Sequence, residues 1–317
     1  MRYQGQDFLT APARQSPELW RFALGLALVV ACYLALGHSY FTLLAEMVTP
    51  QDWPLLAAEI DRGSSPRGML AILASFGFII IALGLVLKFL HQRPLATLFG
   101  RGAVFLRHGL RVSTALGGFA VLLWFLPEPD ILKPFHNLDY LRWLALLPLA
   151  LPLLFIQVTA EELLFRGYGQ SQLAARFSNP LVWLALPALI FGALHFEPSV
   201  AGPNAWFLVL SATLFGLAAG DLTARSGTLA PAIALHFFLN FSGLLYVSPG
   251  DTLYGLALYT YPFELSDSTV RTVWLPYDLM IMGDGSFGVQ VGNETMYTRD
   301  GSFTVDAQGT IKTRHGH

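Results

Sequence analysis

An all-α, polytopic membrane bundle is the fold class this sequence predicts. Three observations predict it. Hydrophobic residues make up 54% of the 317 residues and charged residues only 13%, about half the ~25% usual in soluble domains. Seven stretches, 22–45, 68–87, 112–127, 143–159, 177–196, 198–220 and 226–246, contain no Asp, Glu, Lys or Arg. The single cysteine, Cys32, leaves no basis for a disulfide framework or a cysteine-rich zinc site. A net charge of -2 with no basic stripe gives no reading toward nucleic acid.

Taken in order, residues 1–21 are polar and form an N-terminal segment with Arg2, Arg14 and Arg21. The first run, 22–45, is ample for the ~20 residues a spanning helix needs. It is too long for a cleavable signal sequence. A turn-rich loop follows, then the 68–87 run. A basic loop with Lys88, Arg93, Arg101, Arg107 and Arg111 precedes the shorter 112–127 run. Together 22–127 are read as N-terminal membrane helices. Residues 128–250 are read as a helical core holding the last four runs, and 251–317 as a C-terminal segment. About seven spans are expected, or eight if Thr272–Met282 also crosses. With the N-terminus inside, eleven basic residues fall on the inner side and four (Arg62, Arg67, Lys133, Arg142) on the outer. That bias predicts a multi-pass cell-membrane protein, of an inner membrane where there are two, with a cytoplasmic N-terminus.

The functional reading starts from Glu161 and Glu162, adjacent carboxylates at the end of the 143–159 run. A charged side chain deep in a bilayer costs roughly 2.5–3.5 kcal/mol on insertion scales, so such residues face the bundle interior and have partners. On a helix the two point about 100° apart and cannot share one role. Glu162 and Arg166 are i and i+4, placed for a salt bridge. Glu161 is then free to face a cavity. Gly167–Phe177 reads as a continuing amphipathic helix, and Ser178-Asn179-Pro180 as a turn. His195 falls about as far after that turn as Glu161 falls before it, which sets them at similar depth across a hairpin. Pro187 is a candidate kink in the second arm. His236 and Asn240, again i and i+4, look at one point from a later helix. Each pair alone is more often structural. Three intramembrane polar clusters together favour a catalytic site.

Glu161-Glu162-x-x-x-Arg166, Phe191-x-x-x-His195 and His236-x-x-x-Asn240, in that order and each in an apolar segment, resemble the CPBP family of intramembrane proteases. That family includes CAAX prenyl endopeptidases and bacteriocin-processing and self-immunity relatives. The resemblance covers about 141–247 and implies an endopeptidase acting on a membrane-embedded peptide or protein within the lipid bilayer. It implies Glu161 as general base, His195 as a group that orients the water or binds a metal, and His236 and Asn240 as oxyanion donors. Glu162, Arg166 and Phe191 would support the site. A carboxylate held out of bulk water suits the base role. Glu161, His195 and His236 are also a donor set that zinc accepts, so a divalent metal is carried as a candidate cofactor. The spacing is not the His-Glu-x-x-His of soluble metalloproteases. Two other classes compete: a non-catalytic scaffold or immunity protein binding a partner through the same cavity, and an ion or proton carrier. No broken-helix repeat supports the carrier.

From about Ser266 the composition changes. Short alternating runs at 287–291, 295–298 and 302–305, punctuated by Asn293 and Asp300-Gly301, predict small β-hairpins. The Gly-Asp-Gly-x-Phe pattern and Tyr297–Phe303 resemble a segment of flagellar rod and hook proteins. That likeness points to a fusion or recombination join in place of a last membrane helix.

Overall fold

The computed structural model describes residues 3–125 and 133–270, together with the backbone of four strands between 287 and 313. Its helices are α1 (Gln6–Ala13), α2 (Leu19–Glu46), α3 (Trp53–Arg62), α4 (Pro66–Ser75), α5 (Gly77–Phe89), α6 (Gly102–Trp124), α7 (Tyr140–Glu162), α8 (Ser171–Arg176), α9 (Leu186–Ala193), α10 (Pro198–Ala201), α11 (Ala205–Ser226) and α12 (Ala230–Asn240). Three wide π-helical segments, Leu163–Gln170, Leu181–Ala185 and Phe241–Tyr246, join or extend them. The protein is helical and membrane-type. Among the described residues four helical stretches are long and apolar enough to cross a membrane: Leu19–Glu46, Pro66–Phe89, Tyr140–Arg176 and Pro198–Ser226.

Each expected apolar run lies in a helix, but several lengths differ. The 177–196 and 226–246 runs yield only the shorter apolar helices Leu181–Ala193 and Ala230–Tyr246. Asn179-Pro180 delays the first start, and Gly227 delays the second. Gly227 takes the left-handed φ of 71° that ends α11, a conformation that glycine adopts without steric cost. The basic stretch expected as loop up to Arg111 is helical from Gly102, so Arg107 and Arg111 lie on α6. Arginine is a good helix former, and no proline interrupts that stretch. The short helices α1 and α3 were not expected. Both are amphipathic, and α1 buries Gln6, Leu9, Thr10 and Ala13.

α7 is the central element. Asp139 caps it, accepting from the backbone N–H of Leu141 (2.9 Å) and Arg142 (3.2 Å), as an N-cap aspartate does. Pro148 and Pro152 sit inside it, tolerated because neighbouring helices enclose the freed carbonyls. Leu154, Val158, Ala160 and Leu163 are buried in one core with Leu83 and Leu87 of α5 and Ile233 of α12. α2 is the outer helix: only 11% of its most apolar window is buried, against 44% for Pro66–Phe89. Its exposed Leu24, Leu28, Val30 and Leu34 are what a lipid-facing surface carries.

At one end of the bundle the chain after α12 folds back. β1 (Phe135–His136), β2 (Val247–Ser248) and β3 (Tyr259–Thr260) form a three-stranded sheet ordered β1-β3-β2. β1 and β3 are antiparallel, and β2 and β3 parallel. No sequence signal announced this sheet, because two-residue strands carry no alternation. In the tail, β4 (Phe287–Val291) pairs antiparallel with β5 (Glu294–Thr298), and β6 (Phe303–Val305) with β7 (Ile311–Thr313). β4, β5 and β6 fall on the three expected runs, and β7, which completes the second hairpin, was not expected. Thr272–Met282, the candidate eighth span, lies outside the described residues.

α9 packs on α11 through Gly192. A Cβ there would collide with Thr213 Oγ1 and lie 2.7 Å from the Val209 carbonyl oxygen. Gly192→Ala is therefore expected to destabilise by about 1–3 kcal/mol, the usual cost of overpacking. Gly117→Ala, where a Cβ meets nothing, is the control. Thermal unfolding in detergent should separate the two, with only the first lowering Tm.

Candidate active site

The end of α7 delivers Glu161 and Glu162, and the π-helical segment that follows delivers Arg166. Arg166 Nη1 lies 3.1 Å from Glu162 Oε1, with the two side chains 2% and 0% exposed. Three aromatic rings surround the guanidinium: its Cζ is 4.7 Å from the centroid of Phe191, 5.3 Å from Phe215 and 5.8 Å from Phe165. Planar guanidinium on aromatic faces is favourable when water is excluded. Glu162 Oε2 and Arg166 Nη2 are buried with no hydrogen-bond partner among the described residues.

α12 brings His236 between the two carboxylates. Its Nδ1 is 2.8 Å from Glu162 Oε1, and its Nε2 is 3.4 Å from Glu161 Oε2. A carboxylate accepts, so Nδ1–H donates to Glu162, which fixes the ring and turns Nε2 toward Glu161. Phe215 packs on the same imidazole at 4.7 Å between centroids. The i and i+4 spacing of Glu162 and Arg166 thus forms one buried chain, Arg166–Glu162–His236–Glu161.

Asn240 lies one turn after His236. Its Nδ2 donates to Gln157 Oε1 at 2.8 Å. Gln157, one turn before Glu161 on α7 and buried, was missed by sequence reasoning. Its signal was there: a second amide at i−4 from Glu161 inside an uncharged run. Phe215 was missed too, since a phenylalanine in an apolar helix carries no signal by itself.

His195 stands apart from this chain. It lies not within α9 but in the turn after it, its backbone N–H bonded to Gly192 O at 2.9 Å. Its Nδ1 is 2.8 Å from the Phe191 carbonyl, so Nδ1 carries the proton and Nε2 keeps its lone pair. The structure does not bring His195 into contact with Glu161. The residue that touches Glu161 is His236. Pro187 is the second residue of α9, one residue beyond the π-helical Leu181–Ala185. A wide turn there accommodates the missing proline N–H.

A cavity of about 600 Å³ opens beside the cluster, lined by His195, His236, Asn240, Phe191 and Phe215 and roofed by Tyr246, Val247, Phe263 and Leu265. Glu161 does not line it. His236 stands between, and Glu161 keeps a 16% exposed side chain. Among the described residues no three His, Cys, Asp or Glu side chains are grouped so as to hold a metal ion.

Removing one partner of a buried pair strands the other charge. Arg166→Met is expected to destabilise by about 3–5 kcal/mol, read as a lowered unfolding midpoint in detergent. A change within 1 kcal/mol would mean that His236 alone satisfies Glu162.

Three comparisons bear on the cluster. Residues 143–242 match the family described as Type II CAAX prenyl endopeptidase Rce1-like. Residues 280–317 match the flagellar hook protein FlgE/F/G D1 domain. An uncharacterized protein of Bacillus subtilis (strain 168), YyaK, is 24% identical over 260 residues, covering 77% of this chain and 83% of its own. No solved structure matches. Every side chain of the charge chain and its amide pair falls between 143 and 242, the segment that matches the family described as Type II CAAX prenyl endopeptidase Rce1-like.

Proposed function

We propose that this protein is an intramembrane endopeptidase that hydrolyses a peptide bond of a membrane-associated peptide or protein, with Glu161 activating the water. The observation that carries the reading is His236 held between two carboxylates at the wall of an apolar cavity. The match of 143–242 to an endopeptidase family supports the reaction class.

The chemistry follows from the donors and acceptors present. Glu161 takes a proton from water, and the water oxygen attacks the scissile carbonyl. His236, anchored through Nδ1 by Glu162, keeps Nε2 beside Glu161 and steadies the proton there. Asn240 has a second Nδ2 hydrogen beyond the one given to Gln157, and that hydrogen stabilises the oxyanion. As the tetrahedral intermediate collapses, the C–N bond breaks and the proton passes to the leaving amine. His195 Nε2 accepts a hydrogen bond at the cavity rim and orients water or substrate. Arg166 pairs with Glu162 and holds it in place, so its role is positioning. A cytoplasmic N-terminus in the cell membrane is part of the same reading, supported by the eleven-to-four distribution of basic residues.

The test uses the purified full chain in detergent with a library of fluorogenic membrane-proximal peptides, with and without a chelator. Wild type should cleave. Glu161→Gln should lower kcat by about 10²–10⁴-fold, and Asn240→Ala by about 10²–10³-fold. Unchanged cleavage by Glu161→Gln would sink the base assignment. Absence of cleavage by folded wild type would favour a partner-binding protein using the same cavity. Loss of cleavage with chelator would add a metal requirement.

Gln157 yields a separate expectation. Gln157→Glu keeps the acceptor for Asn240 and should retain most activity. Gln157→Leu frees the Asn240 amide and should lower kcat with little change in KM.

A further inference from the structure

A second polar cluster lies away from the candidate active site, where α5 ends. Gln92 has a positive φ of 52°, which a residue other than glycine adopts only under constraint. The chain reverses there, and Arg93 N–H bonds back to Leu87 O at 3.0 Å, which satisfies a terminal carbonyl of the helix. The reversal folds the Arg93 side chain inward. Arg93 is 4% exposed, and its Nε, Nη1 and Nη2 are all buried with no hydrogen-bond partner among the described residues.

The neighbours that could accept from it are engaged elsewhere. His91 Nδ1 is 2.7 Å from Ser16 Oγ and 2.9 Å from Gln172 Nε2, and its Nε2 is 2.9 Å from Tyr168 Oη. Glu18 is 3.6 Å from Arg21 Nε, so that carboxylate answers Arg21. Burial first, then the nearby Arg93 and Arg21 cations, holds His91 down to about 4, and it is neutral at pH 7. Burial also lowers Arg93, to about 10, and it remains a cation. Among the described residues this enclosed positive charge has no counter-charge. The effective penalty for such a group is several kcal/mol.

Arg93 lines a groove of about 460 Å³ together with Lys88, Gln92 and Gly84. Lys88 supplies a second cation. Below the groove Ile81, Leu85 and Phe89, 51%, 42% and 70% exposed, follow one another at i, i+4 and i+8 along the Pro66–Phe89 span. They make a continuous apolar stripe on one helix face.

We propose that this groove binds the phosphate of an anionic phospholipid, with the exposed Lys88 on the phosphodiester, the enclosed Arg93 cation behind it as the charge that draws the anion in, and an acyl chain along Ile81, Leu85 and Phe89. An enclosed positive charge attracts an anion more strongly than one in bulk water does. Free phosphate would satisfy the same cations, but it would leave the apolar stripe unused. The site is independent of the proposed protease chemistry, and its test reads binding rather than cleavage.

The full chain in detergent is titrated with short-chain phosphatidylglycerol, short-chain phosphatidylcholine or inorganic phosphate, and unfolding is followed by tryptophan fluorescence. Phosphatidylglycerol should raise Tm by a few degrees, and the other two should not. Arg93→Met should abolish the response. Lys88→Gln, at an exposed position with little bearing on folding, should weaken apparent affinity about fivefold, as one surface cation does. Equal responses in wild type and both variants would overturn the site. A response to inorganic phosphate equal to that for phosphatidylglycerol would overturn the lipid assignment.

Discussion

The ion pair between Glu162 and Arg166 is the constraint on which the rest of the structure depends. Two charges with side chains 0% and 2% exposed sit in a helix that otherwise reads as a membrane span. Their desolvation is repaid only if every side of the pair is closed by groups that favour charge. The bundle supplies those groups from four directions: α7 and its extension give the pair, α12 gives His236, α9 gives Phe191 and α11 gives Phe215. The close approach of α9 to α11 at Gly192, and of Gly216 to Ala188 and Arg166, follows from the same need. Small residues let the backbones come near enough for the rings to reach the guanidinium.

Helical irregularity is concentrated around this pair. The α-helix of α7 widens to a π-helix directly after Glu162, through Leu163–Gln170. A wide turn changes which face the following side chains present, and such segments occur at functional sites. Here the widening carries Arg166, and beyond it Tyr168 and Gln170, both buried in contacts with other elements. Phe241–Tyr246 widens in the same way after Asn240, where the chain leaves the bundle to roof the cavity. Both irregularities directly follow groups of the cluster.

The sequence made the large features legible and the small ones not. Spans showed because seven uncharged runs have no soluble explanation, and Glu162–Arg166 and His236–Asn240 showed as helical neighbours because 3.6 residues per turn puts i and i+4 on one face. What failed was anything set by packing between segments. A helical-depth argument set His195 at similar depth to Glu161; it could not show that α9 ends at Ala193, or that His236 from a helix far along the chain makes the contact with Glu161. The basic stretch at Arg107 and Arg111 read as loop, since charge was taken as a span boundary, although the helix begins before the apolar face does. The sheet of β1, β2 and β3 consists of two-residue strands, too short for periodicity to exist.

The chain after α12 has two parts that the composition change near Ser266 had run together. Residues 247–270 belong to the bundle: Leu258 N–H bonds to Leu245 O, Gly255 N–H to Gly63 O, and Asn204 donates to Leu265 O and Asp267 O. Those bonds tie the roof of the cavity to the end of α3, the turn before α11 and the π-helical segment after α12 at once. The match to a flagellar hook domain begins only at residue 280, beyond Val270, the last of the described residues to line the cavity. Among the described residues, walls, roof and charge chain are thus built from residues before 271. A join in the tail leaves the candidate site's own side chains in place, so whatever the tail does to this protein, it does not act by removing a member of the cluster.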